Sequence, residues 1–105
     1  MEHRCSRRKP AGFKVVFYQD ERPVQSGIAQ NMSMGGLFVD VNTQYWRRYE
    51  AFDIELSNMH GETLRMPAVI MHRGDQGVGM MFEDVEPVLE QQYRDMFYET
   101  ESICA

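Results

Sequence analysis

Six short apolar stretches separated by turn signals constrain the fold of this chain more than any other feature. Each is rich in β-branched and aromatic residues, or alternates apolar with polar positions, which is typical of strands. Short turns between successive strands favour antiparallel pairing, so the sequence predicts a mainly β protein, either a small barrel or a sandwich. The predicted strands are Phe13–Tyr18, Val24–Gln30, Leu37–Val41, Phe52–Leu56, Thr63–His72 and Val78–Phe82.

A proline and a final helix add detail to this pattern. Pro67 lies inside the fifth predicted strand and indicates an edge position or a β-bulge, because proline cannot donate to a strand ladder. Glu86–Glu99 changes to helical spacing, with Pro87 suited to the first turn and acids opposite an apolar stripe. We expect this helix to lie across one end of the β structure. The stripe consists of Val85, Leu89, Tyr93, Met96 and Phe97.

Length and composition indicate one small intracellular domain. A chain of 105 residues is the size of a single domain. No run approaches the roughly 20 apolar residues of a membrane span, and the N-terminus lacks the apolar core of a signal peptide, so we expect a cytoplasmic protein. Cys5 and Cys104 are then expected to be free thiols. With no C-x-x-C and no clustered His and Cys residues, the sequence predicts no metal site.

The charge of the chain is unevenly spread. The net charge is −5, yet residues 1–14 carry five basic groups against Glu2, and residues 83–101 carry seven acids against Arg94. The basic end is either an anion-binding segment or a solvated tail. We expect a flexible N-terminal tail over residues 1–12, a barrel with its helix over residues 13–99, and a C-terminal tail over residues 100–105.

The stretch Asn31–Gly36 joins two predicted strands with an unusual set of residues. It holds a side-chain amide, a hydroxyl at Ser33, and two adjacent glycines, Gly35 and Gly36. Asn and Ser bond to nearby backbone groups, while glycine permits positive φ and close approach of another backbone. The stretch therefore predicts either an ordinary Asx-type turn or a turn shaped around a ligand.

Arg4 and Arg8 form an RxxxR motif, and Asn31, Ser33 and Gly36 form a later NxSxxG motif. These two motifs resemble the RxxxR and [D/N]xSxxG motifs of the PilZ domain family. The order of strands followed by one helix agrees with the family, and residues 77–82 are similar to its late glycine-containing strand. The resemblance implies a six-stranded antiparallel β-barrel with a C-terminal α-helix that binds cyclic di-GMP.

The resemblance also implies roles for individual residues. Arg4 and Arg8 would contact guanine and phosphate, because a planar guanidinium matches the O6 and N7 acceptors of guanine. Asn31 would bond to the guanine edge, where the family often has Asp. Ser33 would bond to guanine or phosphate, and Gly36 would let the backbone approach. Further candidates are His3, Arg7, Gly35 and Gly79; a neutral residue at His3 leaves the ligand stoichiometry open, between one molecule and a stacked dimer.

The function implied is that of a non-catalytic cyclic di-GMP receptor, with no metal and no cofactor beyond this ligand. Ligand binding would order the arginine-bearing tail over the barrel and change the binding of a partner protein. One alternative is a ligand-independent PilZ-like adaptor. A second is a small RNA-binding barrel that uses the aromatic and basic residues 45–49, although those aromatics are expected to plug a barrel end and the acidic chain disfavours nucleic acid. Motility, biofilm adhesion, polysaccharide export and virulence are all served by the family, and the sequence selects none.

Overall fold

The computed structural model describes residues 8–42 and 46–99. Within them, seven strands precede a single helix. The strands are β1 (Lys9–Pro10), β2 (Lys14–Gln19), β3 (Arg22–Ser33), β4 (Gly36–Asp40), β5 (Ala51–Ser57), β6 (Thr63–Gly74) and β7 (Gly77–Phe82). The helix α1 (Pro87–Tyr93) continues as a π-helical turn, Arg94–Tyr98, here called the π-turn.

The sheet closes into an antiparallel barrel. Its strand order is β1-β3-β2-β5-β6-β7-β4, and a further pairing of β3 with β4 joins the two sides. The predicted six-stranded barrel with a C-terminal helix is therefore confirmed, and the sandwich alternative is excluded. The extra strand β1 pairs only with β3, beside Asn31 and Met32. Two residues are too few to show a strand pattern, so the sequence did not predict β1.

The core follows the period-2 alternation of the strands. Inward positions on successive strands are fully buried, whereas their neighbours face water. Trp46 covers one end, with its ring 4.7 Å from that of Phe17 and 4.6 Å from that of Phe52. This agrees with the expected plug, but Tyr49 is 62% exposed and takes no part in it, and Tyr45 lies outside the described residues. The residues with no exposed surface on the strands include Val15, Phe17, Leu37, Val39, Ile54, Leu56, Ile70 and Val78.

The helix packs its apolar stripe on the β structure, as predicted. Tyr93 contacts the Phe82 ring at 4.8 Å, and Phe97 contacts the Phe13 ring at the same distance. The sequence indicated one regular helix to Glu99, yet α-helical geometry ends at Tyr93. The wider π-turn that follows brings both Phe97 and Tyr98 into the core. Among the described residues, no helix has the length and apolar character needed to cross a bilayer.

The prediction of an edge position at Pro67 is confirmed locally, because β6 lacks a ladder partner on one side at this residue. Pro67 opposes Asp53 of β5. On the other side β7 has already ended, since its last residue, Phe82, opposes Ala68. No ladder partner there requires an N–H from residue 67, so proline is tolerated in a strand within the barrel. The irregularity of β6 lies instead at Met71, between the paired residues Ile70 and His72.

Candidate ligand site at the β3–β4 hairpin

The hairpin between β3 and β4 is tighter than the sequence indicated. Ser33 opposes Gly36, so the loop consists of two residues, Met34 and Gly35. The prediction that Asn31–Gly36 is a turn is therefore wrong at its first half: Asn31 and Ser33 belong to β3. The pairing continues that far because β4 offers partners, with Phe38 opposite Asn31. The Gly35 N–H donates to Ser33 Oγ at 3.2 Å, which fixes the hydroxyl beside the loop.

A bulge in β3 directs Asn31 outward. The register with β4 shifts between Ala29 and Asn31, which leaves Gln30 as the extra residue. Ala29 and Met32 are both buried, whereas Asn31 between them is only partly buried. Simple alternation would place Ala29 and Asn31 on the same face of the strand, and the bulge removes that constraint. The amide therefore lies on the outer surface of the barrel.

The first described residues bring an arginine to this amide. In β1, Lys9 opposes Met32 and Pro10 opposes Asn31. The Arg8 side chain, which is exposed, donates from Nη1 to Asn31 Oδ1 at 2.9 Å. Lys9 Nζ donates to the carbonyl oxygen of Tyr98 in the π-turn. The residues that precede β2 are thus attached both to β3 and to the end of the helix.

Tyr93 of α1 supports the hairpin from beneath. Its hydroxyl donates to the Ser33 carbonyl oxygen at 2.7 Å. Burial raises the pKa of Tyr93 above its usual value, the nearby Tyr98 raises it further, and the positive charge of Arg8 acts in the opposite direction. Arg8 therefore lies within electrostatic range of the buried phenol. The helical spacing predicted Tyr93 only as a member of the apolar stripe, and its hydroxyl was the one signal of a polar role.

Packing within the barrel explains why residue 36 is a glycine. A Cβ at this position would lie 2.0 Å from the carbonyl oxygen of Met80, so glycine allows β4 to run against β7. Among the described glycines, positive φ occurs only at Gly61 and Gly77, so neither Gly35 nor Gly36 is needed for a left-handed turn. Gly35 is exposed, and a Cβ there would meet no atom within 4 Å.

A row of outward-facing residues crosses four strands, beginning at Asn31. Phe38 opposes Asn31, Gly79 opposes Phe38, and His72 opposes Gly79. None of these residues is buried. A Cβ at Gly79 would be 3.8 Å from Phe38 Cδ1, so the glycine leaves a shallow gap beside that ring. Gly79 is therefore two strand spacings, about 10 Å, from Asn31. Phe38 lies between Asn31 and Gly79 and was not among the candidate residues predicted from the sequence.

The remaining candidates, His3, Arg4 and Arg7, lie outside the described residues, as do both cysteines. The described part of the site therefore consists of Arg8, Asn31, Ser33, Gly35 and Gly36, with Gly79 farther along the surface. Within residues 8–42 and 46–99, no group of three His, Cys, Asp or Glu residues could hold a metal ion.

A cavity of about 490 Å³ lies elsewhere, between residues 10–14, residues 57–60 and the π-turn. Its lining is mainly apolar side chains and backbone, and includes neither Arg8 nor Asn31. We assign the candidate site to the hairpin surface because the guanidinium, amide and hydroxyl groups converge there. These groups bind by hydrogen bonding and charge, which suits a polar anionic ligand.

The fold is similar to those of several solved proteins. Among solved structures, a PilZ domain of CeSA from a cellulose-synthesizing bacterium has a TM-score of 0.72 and 20% identity, over 92% of this chain and 100% of that one. The PilZ domain of YcgR from Escherichia coli, solved with c-di-GMP, has a TM-score of 0.74 and 16% identity, over 95% of this chain and 92% of that one. The Bacillus subtilis inhibitor of motility, MotI/DgrA, has a TM-score of 0.66 and 16% identity, over 88% of this chain and 47% of that one.

No curated protein matches the chain. The family model for the PilZ domain, however, matches residues 2–99, which is nearly the whole sequence. The barrel with its C-terminal helix, the two motifs and this match agree, and the chain belongs to the PilZ domain family.

Proposed function

We propose that this protein is a non-catalytic receptor for cyclic di-GMP. The observation that carries the proposal is the 2.9 Å bond between Arg8 Nη1 and Asn31 Oδ1, which joins one residue from each family motif at one surface. The structural similarity to a PilZ domain solved with c-di-GMP supports the choice of ligand.

The binding chemistry follows from the residue types. A guanidinium fork matches the O6 and N7 acceptors of guanine, and each such contact contributes about 1–3 kcal/mol. Two arginine contacts therefore supply at most about 6 kcal/mol. Micromolar affinity requires a binding free energy of about 8 kcal/mol after the cost of ordering the side chains has been subtracted. Asn31 and Ser33 on the rigid strand β3 would supply the remainder.

Ligand binding would replace the hydrogen bond between Arg8 and Asn31 with contacts to the ligand. An exposed hydrogen bond of this kind contributes only about 1 kcal/mol, so a charged ligand competes with it at small cost. The ligand would take the Arg8 donors and the Asn31 amide together, and Arg4, Arg7 and His3 would close over it. A partner protein would then read the rearranged N-terminal segment, in a switch driven by differential contacts in two states.

Calorimetric titration with cyclic di-GMP tests the proposal. We expect micromolar binding by the wild type, and affinity reduced at least about fivefold by Arg8→Ala and by Asn31→Ala, since each removes a base or phosphate contact. Arg22→Ala is the matched control, because Arg22 is also exposed but lies at the far end of β3.

The absence of heat at tens of micromolar ligand would refute the proposal. Partner capture that ignores the added nucleotide would then favour the ligand-independent adaptor. Binding of single-stranded RNA that weakens steeply with salt would favour the RNA-binding barrel instead.

A further inference from the structure

A second basic site lies at the far end of the outward-facing row. A pocket of about 370 Å³ is lined by Arg48, Met71, His72 and Arg73. All of these except Met71 are exposed. His72 is also the last member of the row that begins at Asn31. Three strand spacings separate those two residues, about 14 Å along the barrel surface.

Both arginines of this pocket are anchored by backbone carbonyl groups. Arg48 donates from Nε to the Met71 carbonyl oxygen at 3.1 Å. Arg73 donates from Nη1 to the carbonyl oxygen of Trp46, the residue that plugs this end of the barrel. Each bond uses one donor of a guanidinium that has five, so several N–H groups remain for a ligand. Anchoring also reduces the entropy that an arginine loses when it binds.

Neither arginine is neutralised by a carboxylate within the described part of the chain. The ion pairs there are made by other arginines: Arg65 with Glu21 at 3.6 Å, and Arg94 with Glu99 at 3.7 Å. Arg48 and Arg73 therefore line the pocket as two cations without a carboxylate partner among the described residues. Guanidinium groups suit the oxygen atoms of a phosphate group, which they bind in bidentate fashion.

We propose that Arg48 and Arg73 form a phosphate-binding subsite for the cyclic dinucleotide, at the opposite end of the row from Arg8 and Asn31. The inference rests on the proposed function and extends it. Phe38 and the gap at Gly79 form the surface between the two basic ends. The phosphodiester that binds at the pocket comes either from the molecule held at Asn31 or from a second molecule of the same ligand.

Calorimetry with cyclic di-GMP tests the subsite through a matched pair of double variants. Arg48→Ala/Arg73→Ala removes the two pocket cations, and Arg22→Ala/Arg47→Ala removes two exposed cations that do not line the pocket. We expect about tenfold weaker binding for the first variant and wild-type affinity for the second, because loss of two charge-assisted contacts costs at least this factor. Thermal melting of each variant confirms that it is folded.

The molar ratio identifies the source of the phosphate. A ratio of one ligand per barrel, retained in the weakened pocket variant, indicates a single molecule that reaches both ends. A ratio of two that falls to one indicates a second molecule at the pocket.

Equal affinity of the pocket variant and the wild type would overturn the subsite while leaving the proposed function intact. Equal weakening of both double variants would also overturn it, because general charge would then explain the effect. The absence of binding by the wild type would remove the proposed function and the subsite together.

Discussion

At the scale of single residues, the second motif of this chain combines two separate tasks. Asn31 presents its amide to the outer surface, beside Arg8. Gly36 is buried and lies against the backbone of β7, where a Cβ would be 2.0 Å from the Met80 carbonyl oxygen. One residue of the motif therefore contacts Arg8, and the other allows the barrel to close.

The two adjacent glycines allow the structural task of Gly36 to be tested experimentally. We expect Gly36→Ala to lower the free energy of unfolding by about 3 kcal/mol, because the added methyl group must displace strand backbone rather than a flexible side chain. Gly35→Ala is the matched control, with an expected change below about 0.5 kcal/mol, since its Cβ meets open space. Urea denaturation followed by the fluorescence of Trp46 measures both. A stable Gly36→Ala protein that has lost only ligand binding would contradict the structural role.

At the scale of elements, the helix, β1 and the β3–β4 hairpin form one connected unit. Lys9 of β1 bonds to the π-turn through the Tyr98 carbonyl group. Tyr93 of α1 bonds to the Ser33 carbonyl group, and Phe82 N–H donates to the Gly35 carbonyl oxygen at 2.9 Å. The loop that follows β3 is thus held from two sides, as expected of a rigid wall in the proposed site.

Tyr93 makes this connection sensitive to alkaline pH. Burial raises the pKa of Tyr93 in the folded protein, whereas the unfolded chain ionises near the usual value of 10.0. The contribution of Tyr93 to the free energy of unfolding is therefore complete below pH 10 and is lost progressively as the pH rises above that value. We expect Tyr93→Phe to cost about 1 kcal/mol at neutral pH, through loss of the bond to Ser33, and to make the alkaline decline in stability shallower.

Urea denaturation at a series of pH values between 7 and 11 measures both effects. Tyr49→Phe serves as the control, because Tyr49 is 62% exposed. An alkaline decline in Tyr93→Phe as steep as that of the wild type would show that another group causes it.

At the scale of the whole molecule, alternation and turn signals predicted most of the architecture. All six predicted strands are present because each has one face in the core, and apolar periodicity reports that face directly. The helix was predictable for the same reason, through Leu89, Tyr93 and Phe97. Only the family motifs linked Arg8 with Asn31 at the level of sequence, since the two residues are 23 positions apart.

What the sequence did not reveal depends on register and close packing. The bulge at Gln30 and the one at Met71 arise from how neighbouring strands align, and no local pattern encodes that alignment. Asp20 and Glu21, which lie between β2 and β3, both have positive φ, at 51° and 66°, without the Asn-Gly pair that usually signals such a turn. Phe38 was not placed beside Asn31 because strand pairing, rather than sequence distance, brings the two residues together.

The most direct test of the account is a titration of labelled protein with cyclic di-GMP, followed by backbone amide chemical shifts. We expect the largest changes at Arg8, Asn31, Ser33 and Gly35, because the ligand replaces the bond between Arg8 and Asn31 at the hairpin. Changes centred on the 490 Å³ cavity near Lys14 and His60, with the hairpin unaffected, would contradict it.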